Sequence, residues 1–130
     1  MALRKAGRAV TRLYDDRLAA HGMTITQFAI LRNLARDGEL QLNRLAEKMG
    51  MDRTSLYRTI APVERNGWIT ITAGPGRARI ARLSDAGGNA MVDAEVDWIA
   101  AQQHILGGIS PEQWQALQDT LGRLTAMVRP

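Results

Sequence analysis

Leu42-Asn43-Arg44-Leu45-Ala46-Glu47-Lys48-Met49-Gly50-Met51-Asp52-Arg53-Thr54-Ser55-Leu56-Tyr57-Arg58 is the stretch that decides the fold. Leu42, Leu45 and Ala46 recur at helical spacing up to Met49, and Gly50 stops that helix. Asp52 stands where a cap belongs, opening a second helix from about Arg53 to Asn66. On it Leu56, Ile60 and Val63 fall at i, i+4 and i+7, one stripe for burial, and Arg53, Thr54, Tyr57 and Arg58 lie largely off that stripe. Pro62 removes a backbone donor inside this helix, so its last turn either kinks or relaxes. A short helix, a tight turn and a second helix with a free cationic face form a unit whose second helix fits the DNA major groove.

Downstream, Trp68-Ile69-Thr70-Ile71-Thr72 alternates apolar and polar residues, Ala73-Gly74-Pro75-Gly76 reads as a hairpin tip, and Arg77-Ala78-Arg79-Ile80-Ala81-Arg82-Leu83 returns. The tip carries Arg77 and Arg79 close to solvent, placed for phosphate or an adjacent minor groove. Upstream, Leu3, Ala6, Val10, Leu13, Tyr14 and Leu18 form the apolar stripe of a first helix, from about Leu3 to Ala20, that Gly22 ends. Thr24 and Gln27 form a capping box for a helix reaching about Arg36, which presents Phe28, Leu31, Leu34 and Ala35. After Ser84-Asp85 a long helix runs to about Leu106, with Val92, Val96, Ile99 and Ile105 as its apolar positions. Ser110-Pro111-Glu112-Gln113 caps a last helix presenting Trp114, Leu117, Leu121, Leu124 and Val128.

The fold class is therefore mainly α with a small β-hairpin wing, a winged helix-turn-helix flanked by N- and C-terminal helices that form a dimerisation region. Boundaries follow: 1–22 as an N-terminal dimerisation helix, 23–84 as the DNA-binding module, and 85–130 as C-terminal dimerisation helices. In 130 residues these outer helices cannot all bury their stripes on one small module. A second copy packed on Leu3, Val10, Leu117, Leu121, Leu124 and Val128 solves this, and a two-fold dimer sets two reader helices about one DNA turn apart.

Charge agrees with a polyanionic partner. The net charge is +4, and it is uneven: residues 1–83 hold 15 Lys/Arg against 7 Asp/Glu, residues 84–130 hold 2 against 6. Arg53 and Arg58 are candidates for guanine edges or phosphates, and Thr54, Ser55 and Tyr57 for further hydrogen bonds or thymine-methyl contacts. The ring of Tyr57 serves equally well to close the edge of the core. Arg44 and Lys48 suit the DNA backbone.

Other classes fare worse. The chain has no cysteine, which removes disulfides, thiolate metal sites and cysteine redox sensing. Its two histidines, His21 and His104, are 83 positions apart, and Asp15-Asp16, Asp93, Glu95 and Asp97 read as solvated helix faces, so neither a catalytic set nor a metal site is expected. Gly74-Pro75-Gly76 lacks the lysine and helix of a phosphate loop. No apolar run approaches the ~20 residues of a membrane span. Met1-Ala2-Leu3-Arg4-Lys5 meets charge too early for a secretory leader, and the expected address is cytoplasmic. A winged helix that serves only as a protein-interaction module is the competing reading.

In its order and spacing of motifs the chain resembles the MarR family of bacterial winged-helix transcriptional regulators. The likeness runs through Val10-Thr11-Arg12-Leu13-Tyr14, Gly22 to Phe28, Leu42 to Ala46, Asp52 to Arg58, Pro62 to Ile69, the hairpin, and Arg82-Leu83-Ser84-Asp85-Ala86-Gly87. It implies a homodimer bound to a pseudo-palindromic operator on double-stranded DNA, usually as a repressor, and often released by a small aromatic or phenolic ligand. The family's reader helix corresponds to Arg53 to Arg58 and its wing to Arg77 to Arg79; the Asp that typically precedes the wing arginines is missing here. The implied ligand cleft lies between dimerising helices and reader. Tyr14, Arg17, His21, Phe28, Trp98 and Gln102 are its candidates, Arg17 to pair with a carboxylate and the rings to stack. The same positions also suit core packing, dimer contact or a helix end. No cofactor is implied.

Overall fold

The computed structural model describes residues 1–129. They form two compact units, residues 1–98 and 99–130, a division that falls inside the long helix.

In the first unit, α1 (Ala2–Leu18) is followed by a single 3-10 turn, and Gly22, at φ 70°, turns the chain toward α2 (Ile25–Asp37). The capping box forms as expected: Gln27 N–H donates to Thr24 Oγ1 at 3.2 Å and Thr24 N–H to Gln27 Oε1 at 3.0 Å. A third orphan donor at this helix start, Ile25 N–H, is taken by Asp15 Oδ1 at 2.8 Å. Asp15 is thus a strut between α1 and α2 and not a solvated face. Helix α2 buries Phe28, Ile30, Leu31 and Leu34, whereas Ala35 is exposed. It touches α1, α3, α4 and the sheet, so it is covered on more sides than a one-stripe pattern allows.

Gly38 leads into a strand that sequence patterning missed, β1 (Glu39–Gln41), three residues long and too short to show alternation. Helices α3 (Leu42–Met49) and α4 (Arg53–Arg65) follow, separated by Gly50 at φ 64°. Pro62 is accommodated: α4 continues through it and closes with Asn66 N–H on Pro62 O at 2.9 Å, Gly67 N–H on Glu64 O at 2.9 Å and Trp68 N–H on Val63 O at 3.2 Å. With Gly67 at φ 76°, that pair of reversed bonds is a Schellman closure, which aims the chain into the hairpin.

Strands β2 (Ile69–Ala73) and β3 (Arg79–Leu83) pair antiparallel, and β1 adds to the other edge of β3. The register sets Ile69 opposite Leu83 and Ile71 opposite Ala81, on the face turned to the core. Ala81 is the buried residue of β3, and Ile80 is half-buried on the opposite face. The hairpin tip is closed by Gly74 N–H on Ala78 O at 2.8 Å and Ala78 N–H on Pro75 O at 3.1 Å.

Helix α5 (Asp85–Leu106) starts where Ser84 caps it, with Ser84 Oγ accepting Gly87 N–H at 3.0 Å and donating to Gly67 O at 2.6 Å. Its apolar Val92, Val96 and Ile99 are exposed, and Ile105 is half-buried. The packed side within the first unit joins small residues, the buried Gly87 and Ala94 and the partly buried Ala90, with Met91 and Trp98, which lie partly buried against the core. Small side chains let the helix axis come close, an advantage that hydrophobicity counting does not register. In the second unit, α6 (Pro111–Val128) has the expected capping box on Ser110, and none of its residues is buried. Leu117, Leu124 and Val128 are exposed, Leu121 half-buried; Leu3 and Val10 of α1 are also exposed.

Candidate nucleic-acid interface

The start of α4 is fixed by Asp52, whose carboxylate accepts Ser55 N–H at 2.7 Å and the Ser55 hydroxyl at 3.1 Å. The Ser55 bonds hold the Asp52 carboxyl below the usual carboxylate range. Ser55 is therefore occupied by the cap, half-buried, and not presented as a reader. Leu56, Ile60 and Val63 are buried as expected, which turns Arg53, Thr54, Tyr57 and Arg58 to solvent.

The wing meets that face. Gln41, Asn43, Arg53, Tyr57, Arg77 and Arg79 border one recess of ≈ 20 Å³ between α4, the start of α3 and the hairpin. Arg53 Nη2 donates to Asn43 Oδ1 at 3.1 Å, which aims the guanidinium. Tyr57 is 40% exposed and also borders a second recess, ≈ 140 Å³, with Leu42, Ile60, Ile71 and Arg79. Its ring thus meets both the core edge and the open face.

Arg44 pairs with Glu47 at 3.3 Å within α3 and remains exposed. Lys48 is directed elsewhere: its amine lies 3.1 Å from Asp37, whose carboxyl Lys48 and Arg36 hold below the usual range. Arg82 pairs with Glu39 across the β1–β3 ladder. Asn43 and Gln41 were not singled out as functional. An amide beside an arginine ten residues away leaves no local spacing signal.

Of the six ligand candidates, Phe28 and Trp98 come together. Phe28 is buried and stacks on Trp98, ring centroids 5.7 Å apart, and the Arg32 guanidinium stands 4.3 Å from the Trp98 ring centroid. These three, with Ile25, Asn33 and Arg36, border an open groove of ≈ 220 Å³. His21 is 2.7 Å from Asp97 Oδ2, so Asp97 too is a tether and not a bare face. Tyr14 is half-buried, and burial raises its hydroxyl pKa. Arg17 is exposed, and Gln102 belongs to the second unit. The sequence does not mark Arg32, because a helical arginine carries no sign of the ring it covers. No group of three His, Asp or Glu among the described residues is placed to hold a metal, and no described helix is long and apolar enough to cross a membrane.

The family model described as MarR matches residues 23–80, the span from the start of α2 to the wing. Over that span, somewhat less than half of its length, the chain is similar to the MarR family of winged-helix regulators. Among solved structures it is similar to the Mycobacterium tuberculosis regulator MosR in complex with DNA, at 25% identity and TM-score 0.88, covering 97% of this chain and 92% of that one. A MarR family regulator of Streptomyces coelicolor in complex with DNA superposes with TM-score 0.90 at 23% identity, covering 99% and 85%. PcaV of the same organism, with its natural ligand, gives 0.89 at 21%, covering 98% and 92%. These matches are to transcriptional regulators and not to enzymes; they support a DNA-binding transcriptional regulator, and the reading as a mere interaction module is not favoured.

Proposed function

We propose that this chain is a MarR-family regulator, a homodimeric, cytoplasmic repressor that sets its α4 helices in major grooves of a pseudo-palindromic operator. The observation that carries the reading is the common border of Arg53, Tyr57, Arg77 and Arg79 on one recess, which joins reader helix and wing into one cationic face. Arg58 and Thr54 extend that face along α4, Arg77 and Arg79 contact backbone or minor groove, and Arg44 contacts phosphate. Without an acidic partner on the wing tip, Arg77 binds as a free charge, so its contribution is mainly salt-dependent. Lys48 and Ser55 act through the scaffold.

The dimer forms through residues 1–22 and 85–130, on Leu3, Val10, Leu117, Leu121, Leu124 and Val128. The exposed apolar side chains on α1 and α6 support it. Val92 and Val96 of α5 are exposed as well. A small aromatic acid or phenol acts as effector at the groove of Phe28 and Trp98, where Arg32 and Arg36 supply cations for an anionic group. The test is selection of fragments of the source genome by the purified protein, titrated at two salt concentrations. Enrichment of one inverted repeat with steep salt dependence is the expected result; weak uniform binding overturns the operator assignment.

A further inference from the structure

Helix α1 carries Arg4, Lys5, Arg8 and Arg12 with no acidic residue before Asp15. At 100° per residue these four fall on one side of the helix, opposite Leu3, Ala6, Val10 and Leu13. All four are exposed, and among the described residues none has a carboxylate within ion-pair distance. Lys5, Arg8 and Arg12 border an open recess of ≈ 340 Å³ floored by Ala9. Helix stability does not account for this arrangement. Cations in the first turns oppose the helix dipole, like charges at i, i+4 repel, and α1 has neither a first-turn acid nor a side-chain cap.

From this we infer a second nucleic-acid site, separate from the reader: the basic face of α1 binds the phosphate backbone of DNA. Arg4, Arg8 and Arg12 recur every ~6 Å along the axis, so they form one row of cations along the helix. The side chains are long, unpaired and open to solvent, which suits a backbone contact without base readout. With the opposite, apolar side of α1 committed to the subunit contact proposed above, the basic side faces outward. The inference rests on the reading of the chain as a DNA binder, and it adds a site that α4 and the wing do not require.

The test compares the unsubstituted protein, the triple variant R4A/R8A/R12A and the reader variant R53A/R77A on a labelled duplex of random sequence between ~50 and ~200 mM salt. Alanine favours helix, and circular dichroism establishes that α1 is retained. The slope of log affinity against log salt is expected to become shallower by about 2.7 for each engaged protomer of the triple variant, ~0.9 for each lost phosphate contact. R4K/R8K/R12K should restore it, and the reader variant should keep the α1-dependent part. Capture of a second labelled duplex by operator-saturated protein would locate the phosphates on another DNA segment. A slope change confined to operators with added flanks would locate them on the same one. Equal slopes for the triple variant and the parent overturn the proposal, whether the variant instead loses dimerisation in sedimentation or loses binding to phosphatidylserine vesicles. If the parent selects no operator but the triple substitution still flattens the slope, the reader assignment fails and the α1 site stands.

Discussion

Two adjacent glycines at the start of α5 should respond to the same substitution with opposite signs. A Cβ on Gly87 would stand 1.9 Å from the Trp68 carbonyl oxygen and 2.8 Å from its carbon, both backbone atoms that have no rotamer through which to retreat. A Cβ on Gly88 would meet only Leu83 Cδ2 at 3.8 Å, an ordinary contact. Gly87→Ala must therefore push α5 away from the β2 end of the hairpin. It strains Ser84 N–H on Trp68 O, now 3.0 Å, and Ser84 Oγ on Gly67 O, now 2.6 Å. Overpacking costs ~1–3 kcal/mol and a lost hydrogen bond ~1, so a loss of about 2–4 kcal/mol is expected. At ~4 °C per kcal/mol this lowers the melting midpoint by about 8–16 °C. Gly88→Ala should instead be neutral to stabilising by up to ~1 kcal/mol, because alanine lowers the entropy of the unfolded chain and favours helix. Urea and thermal unfolding followed by circular dichroism, at one protein concentration, measure both. Equal shifts for the two variants would refute the packing argument, since propensity alone treats the neighbours alike.

Arg77→Ala should weaken binding to all sequences and make the salt slope shallower by about 1 per contact, measured by anisotropy; an unchanged slope removes Arg77 from the DNA face. Arg58→Ala should relax discrimination at one operator position by about 1–3 kcal/mol, read from a panel of single-base variants; uniform weakening would make it a phosphate contact. Leu121→Glu should shift the sedimenting species from dimer to monomer, and a variant that stays dimeric takes Leu121 out of the interface. The Asp52 carboxyl is held low in the folded chain by the Ser55 bonds, so its capping stability is present above the unfolded carboxylate range and lost as acid carries pH below about 4. Asp52→Asn keeps a capping oxygen without the charge, and acid unfolding of the two proteins should diverge in that range; superimposable acid curves would show that the cap charge is inert.

Local chemistry made most of the fold legible. The caps at Thr24, Asp52 and Ser110 each announce a helix start because a short oxygen-bearing side chain satisfies orphan donors within three residues of itself. Gly74-Pro75-Gly76 announced the wing for a comparable reason, since turn backbone is encoded by adjacent residues. What failed were judgements that depend on partners distant in sequence. Asp15 and Asp97 read as solvated charges and Lys48 as a DNA-backbone contact, yet each bonds to a group 10, 76 or 11 positions away. Val92 and Val96 are the apolar positions of α5, but its buried residues are Gly87 and Ala94, and at Gly87 the close approach of the Trp68 backbone leaves no room for a side chain.

The sequence by itself therefore determined the order and type of the elements, the exposed cationic face of α4 and the turn that sets it after α3. All of these follow from interactions closed within a few residues. Only the tertiary structure decided that Asn43 aims Arg53, that the wing arginines share a recess with Tyr57, and that Arg32 covers Trp98 beside an open groove. Such pairings depend on how helices and hairpin stack in space, and hydrophobic periodicity specifies which face is covered without specifying by what.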